Sequence, residues 1–155
     1  MIFYLLSRRK ICYNVFNNGQ SRHNRVQFYE RKNKIMGKFE FKRCGNIEGL
    51  YEIQPYIFED ARGYNFEAYN EKDFEKAGLK MKFVQDNRST SRKGVLRGLH
   101  FQKKYQQGKL VSVIQGEVFD VAVDIRFASK TFGKWFGVVL SAEKKNMLYV
   151  PEGFA

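Results

Sequence analysis

After Met36, only one stretch of this chain has both the periodicity and the end signals of a helix; the rest consists of short β-type runs separated by glycine. Asn70 can cap a helix over Glu71 to Ala77, with Asp73 as an acid in its first turn and Gly78 as its stop. Phe39, Phe41, Leu50, Tyr51, Ile53, Tyr56 and Ile57 supply short strands around an Asn46-Ile47-Glu48-Gly49 turn. An Asp60-Ala61-Arg62-Gly63 turn leads into an aromatic-rich strand, Tyr64 to Tyr69. Further strands are predicted over Phe83 to Ser89, Val95 to Phe101, Lys109 to Gln115, Glu117 to Ile125, Lys134 to Leu140 and Met147 to Val150. Many strands, tight turns and one short helix predict an all-β sandwich or barrel whose edges are protected by closure.

With 155 residues, 43% of them hydrophobic and 16% aromatic, the chain is one domain's worth of polymer and unlike a disordered sequence. Its formal charge of +12 is unevenly spread: residues 1–35 hold eight Lys and Arg against the single acid Glu30, and the remainder sets twenty against fifteen. Residues 1–35 also lack clear alternation and are expected to be a basic N-terminal extension outside the core, with the domain running over 36–155; a basic arm or an extra strand is the alternative. The charge therefore argues for a tail and against nucleic acid as the partner. No run approaches the roughly 18 apolar residues of a membrane helix. Met1 to Leu6 precedes Arg8-Arg9-Lys10, the reverse of a secretory signal, so the expected location is cytoplasmic with no membrane partner. Cys12 and Cys44 form no CxxC, and with only His23 and His100 as imidazoles no metal site is expected. At the other end, Pro151-Glu152-Gly153-Phe154-Ala155 follows an apolar strand as though another should come next. The domain is expected to be incomplete on its C-terminal side.

The densest group of chemically useful side chains runs from Gln85 to Lys109. In an extended strand Gln85, Asn87 and Ser89 share one face, which either meets a polar ligand or faces solvent; period two permits both. Arg97 and His100 are an odd interval apart, and Gly98 between them allows a bend toward one cavity. His100 can be a general base or a hydrogen-bonded core histidine, and Lys109 can stabilise an oxyanion, bind phosphate or end a solvated strand. Asp120 and Asp124 share a face of their strand. As a glycosidase pair they are weak, and surface or structural hydrogen bonding is the better expectation. Phe132, Trp135 and Phe136 are core or interface aromatics, and neither GxGxxG nor a Walker sequence is present.

Several blocks, in order, resemble the dTDP-4-dehydrorhamnose 3,5-epimerase family. They are Val84-Gln85-Asp86-Asn87, Gly94-Val95-Leu96-Arg97-Gly98-Leu99-His100-Phe101-Gln102 and Gly108-Lys109-Leu110-Val111. Gly116 to Asp124, Thr131-Phe132-Gly133 and Pro151 to Ala155 continue the likeness, and Asp60 to Gly63 matches the family's early arginine turn. The resemblance covers approximately Phe39 to Ala155. It implies a cupin-type β jelly roll, a homodimer, no cofactor, and a dTDP-linked 4-keto-6-deoxy sugar as substrate in dTDP-L-rhamnose biosynthesis. It further implies His100 as the proton-abstracting base, Lys109 and Arg97 near the enolate, and Arg62, Gln85, Asn87 and Ser89 as holders of nucleotide, diphosphate or sugar. In the family a pocket histidine, a proton-donating tyrosine and an aspartate that orients the base follow the Pro-Glu-Gly-Phe-Ala block. This sequence stops before them, so little turnover is expected of it alone. A non-catalytic sugar-nucleotide-binding or structural cupin is the alternative. A metal-dependent cupin is disfavoured because His100 has no HxH partner.

Overall fold

The structure is a computed structural model that describes residues 10–18 and 33–155, with side chains from Gly37 onward. Its main sheet has seven strands: β1 (Lys10–Asn18), β2 (Asn33–Met36), β3 (Phe39–Arg43), β4 (Tyr51–Pro55), β7 (Phe83–Ser91), β8 (Gln107–Gln115) and β11 (Met147–Val150). They lie in the order β2-β3-β4-β11-β8-β1-β7, and every neighbouring pair is antiparallel. Two hairpins complete the strands, β5 (Phe58–Asp60) with β6 (Gly63–Asn65), and β9 (Glu117–Val123) with β10 (Trp135–Ser141).

The single helix among the described residues, α1 (Glu71–Ala77), begins and ends where its caps dictate. The Asn70 side chain accepts from the Asp73 N–H at 3.3 Å, and Gly78 adopts φ +94° while its N–H donates to the Glu75 carbonyl. Phe74 and Ala77 on its inner face are buried with Phe39, Phe41, Ile53, Leu110 and Met147 on one side of the main sheet. Phe74 meets Phe39 and Phe41 edge-on, each at 5.2 Å between centroids. The other side of the sheet packs on the β9–β10 hairpin. There Val111, Val113, Leu148 and Val150 share a core with Val118, Ala122, Leu140 and Phe154. Alternation along β8 explains the division, since Leu110 faces the helix while Val111 and Val113 face the hairpin.

Two sequence expectations need adjusting, and a third concerns a segment described only by its backbone. Val95 to Phe101 is not a strand but part of the loop between β7 and β8. Gly94 and Gly98 take φ of +86° and +115°, outside extended geometry, and Leu96, Leu99 and Phe101 stay exposed. The strand expected over Tyr64 to Tyr69 is cut to Gly63–Asn65, pairing only with the three residues of β5. The segment expected to lie outside the domain, residues 1–35, contributes backbone pairing: β1 sits between β7 and β8, and β2 pairs with β3. The side chains of β1 and β2, and residues 1–9 and 19–32, lie outside the described residues.

Candidate active site

Register across the main sheet locates the polar row of β7. Gln85 lies opposite Phe16 of β1, and Phe16 lies opposite Lys109 of β8; Asn87 aligns with Val111 through Asn14, and Ser89 with Val113 through Cys12. Directly opposed residues in antiparallel strands project to the same face. Gln85, Asn87 and Ser89 therefore share the face of Lys109, Val111 and Val113, which is the face covered farther along by the β9–β10 hairpin. Gln85 and Asn87 are exposed and joined by a 3.2 Å hydrogen bond from Gln85 Nε2 to Asn87 Oδ1, whereas Ser89 is half-buried. At the end of the row, Arg97 Nε donates to Ser91 Oγ at 2.8 Å, and its Nη2 donates to the Thr90 carbonyl at 3.2 Å. This holds one guanidinium face to the end of β7 although Arg97 belongs to the following loop.

Five of the seven candidate side chains are thus gathered around one face. The other two make no hydrogen bond with them among the described residues. Arg62, in the β5–β6 turn, is exposed and forms a bidentate pair with Asp60, Nη2 to Oδ2 at 2.6 Å. His100 is exposed in the β7–β8 loop. A cavity of about 370 Å³ lies elsewhere, reaching Ser112 and Ile114 on the opposite face of β8 and bounded by Tyr64, Phe66 and Lys145; it contains none of the seven.

Lys109 is half-buried, and burial lowers its pKa from the ordinary lysine value while the Asp120 carboxylate pulls it back up. Asp120 itself is pushed up to about 6 by burial, against the Val121 N–H and the Lys109 charge, both of which favour its ionised form. Its Oδ2 is buried with no hydrogen-bond partner among the described residues. The sequence does not distinguish this residue from Asp124, since both share the parity of the buried Val118 and Ala122; the difference lies in their partners. Asp124 bears out structural hydrogen bonding. Fully buried, it accepts from the Arg126 N–H at 3.0 Å and its Nε and Nη2 at 2.9 and 2.7 Å, and from the Ser129 and Thr131 hydroxyls, each at 2.6 Å. Burial raises its pKa, but these bonds outweigh that and hold it well below the usual carboxylate range. Among the described residues no three His, Cys, Asp or Glu side chains are grouped so as to hold a metal ion.

The family model described as dTDP-4-dehydrorhamnose 3,5-epimerase matches residues 45–155, which include all seven candidates. This chain belongs to that family. It is 52% identical over 120 residues to the dTDP-4-dehydrorhamnose 3,5-epimerase of Methanothermobacter thermautotrophicus, covering 77% of this chain and 64% of the relative. It is 62% identical over 111 residues to the Shigella flexneri 3,5-epimerase, covering 70% and 61% respectively. The chain thus spans somewhat less than two thirds of the length of these curated relatives. A solved dTDP-6-deoxy-D-glucose-3,5-epimerase of Legionella pneumophila, in complex with dTDP-4-keto-L-rhamnose, superposes with a TM-score of 0.72 at 52% identity, covering 76% of this chain and 62% of that one. The two-layer β architecture is therefore an epimerase-family, cupin-type fold.

Proposed function

We propose that this chain carries the base and the enolate-stabilising groups of a 3,5-epimerase acting on dTDP-4-dehydro-6-deoxy-D-glucose, forming dTDP-4-dehydro-L-rhamnose for dTDP-L-rhamnose biosynthesis. The observation that carries the reading is the register placing Lys109 in one row with Gln85 and on one face with Asn87 and Ser89. A cation set among neutral amides and a hydroxyl suits a sugar that gains negative charge at one oxygen during reaction. His100 would take the proton from C3, leaving the C–H electron pair to form an enolate through the C4 carbonyl. Lys109 and Arg97 would stabilise the enolate oxygen, and reprotonation from the opposite side inverts the carbon. The ketone acidifies C5 equally, so one oxyanion site serves both centres. Arg62 would leave its exposed partner Asp60 to bind diphosphate, and Gln85, Asn87 and Ser89 would hold the nucleotide or sugar. A second copy of the chain is the proposed protein partner.

The exposure of His100, with no hydrogen bond to the row among the described residues, favours one other reading, a sugar-nucleotide-binding cupin without turnover. Heavy-water exchange separates them. With this chain extended past Ala155 by the remaining part of the Shigella flexneri relative, the 3,5-epimerase reading expects deuterium to enter C3 and C5 of the keto sugar and to depend on His100; saturable dTDP-sugar binding with no exchange would leave the binding module.

A further inference from the structure

We infer that Asp120 is a positioning residue for Lys109, facing it across the space between the two β layers and keeping its ammonium charged and directed at the face that bears Gln85, Asn87 and Ser89. Only the consequence for catalysis rests on the proposed function; the pairing stands on the fold. Along β8, Lys109 has the parity of Val111 and Val113, and along β9, Asp120 has the parity of Val118 and Ala122. Those four aliphatic residues are buried in one core between the layers, so the two charged side chains enter that space from opposite walls. Asp120 Oδ2 is buried there with no hydrogen-bond partner among the described residues, an arrangement that is costly unless a cation lies near.

Among the described residues, the neighbours opposed in register to the pair carry no charge, and Arg97 brings a further cation to this face at the end of β7. The residues opposed to Asp120 and Lys109 in register are Val138 of β10, Val150 of β11 and Phe16 of β1, and the row on β7 is neutral. Each of the two charges acts on the other, Lys109 favouring the carboxylate and Asp120 favouring the ammonium, while burial opposes both. With Asp120 titrating at about 6, its carboxylate is present near neutral pH, where an epimerase needs Lys109 protonated against a developing enolate.

The test reads Lys109 directly. Competitive acetylation with trace acetic anhydride, followed across pH by mass spectrometry, reports the fraction of Lys109 that is unprotonated relative to the exposed Lys103. In Asp120→Asn the titration of Lys109 should move downward, raising its relative labelling near pH 8 by roughly three- to tenfold, the equivalent of half to one pKa unit. Unchanged or slower labelling would overturn the pairing. The reciprocal variant guards against a folding defect: in Lys109→Met, the Asp120 carboxyl carbon observed by NMR should titrate above the wild-type midpoint, and an unmoved midpoint would likewise sink the inference. Reciprocal shifts, together with no substrate-proton exchange by the chain extended past Ala155 with the remaining part of a relative, would retain the pair and discard the epimerase reading.

Discussion

Two aspartates four positions apart on one strand face show how differently the same side chain can be used. Asp124 is neutralised locally by Arg126, whose Nη2 also donates to the Glu48 carbonyl at 3.0 Å and whose guanidinium lies 4.7 Å from the Phe154 ring. Removing the carboxylate strands a partly buried cation and two hydroxyls, so Asp124→Ala should destabilise by about 3–5 kcal/mol in urea unfolding near pH 7. Because the folded pKa is depressed, that contribution exists above the unfolded value of about 4 and is lost as pH falls through the folded one, so the deficit should narrow in acid. Asp120 has the opposite sign. Its pKa rises from 3.8 to about 6 on folding, so the native state binds more protons than the unfolded state and stability falls as pH climbs between those values. Asp120→Asn should therefore be more stable than wild type by about 3 kcal/mol at pH 7, with the difference vanishing below about pH 4. An equally large gain at both pH values would show that ionisation is not its source. That stability penalty is what a charge retained for function would carry.

At the level of elements, what could be read from the sequence is what is locally determined. Helix α1 was legible because Asn70 and Gly78 satisfy its terminal backbone groups within the segment itself. Strand β11 was legible from its unbroken apolar run. The β7 row was half legible: alternation puts Gln85, Asn87 and Ser89 together, but only long-range register through β1 to β8 says which face they share. Val95 to Phe101 has strand-like composition, yet no neighbour pairs with it and two positive-φ glycines bend it. Asp120 is not marked out by its sequence because its environment comes from the sheet opposite. The role of β1 belongs to this scale too. Both described core clusters are built from Phe39 onward, so a chain beginning at Met36 is expected to keep a strand-rich circular dichroism spectrum and a cooperative thermal transition. It would do so at reduced stability, because β7 and β8 lose the strand that pairs with both. Loss of the transition would show instead that β1 completes the domain.

The described residues present two layers of β structure with one helix packed outside, and a face beside the hairpin where Lys109, Arg97 and the polar row converge. Tyr56, Phe58 and Tyr64 are exposed around the β5–β6 hairpin, an apolar surface suited to a second copy. Sedimentation velocity should give a dimer for this chain fused at Ala155 to the part of the Shigella flexneri relative that follows the matched segment. A single monomeric species over a hundredfold concentration range would remove the dimer from the account. The central claim is that His100 draws protons from a keto sugar held at this face, and solvent exchange measures it without needing product separation. With the same fused chain in heavy water, deuterium should enter both C3 and C5 of dTDP-4-dehydro-6-deoxy-D-glucose. His100→Asn should slow that entry by about 10²–10⁴-fold while leaving dTDP affinity largely intact. Exchange at the wild-type rate in His100→Asn would contradict the account.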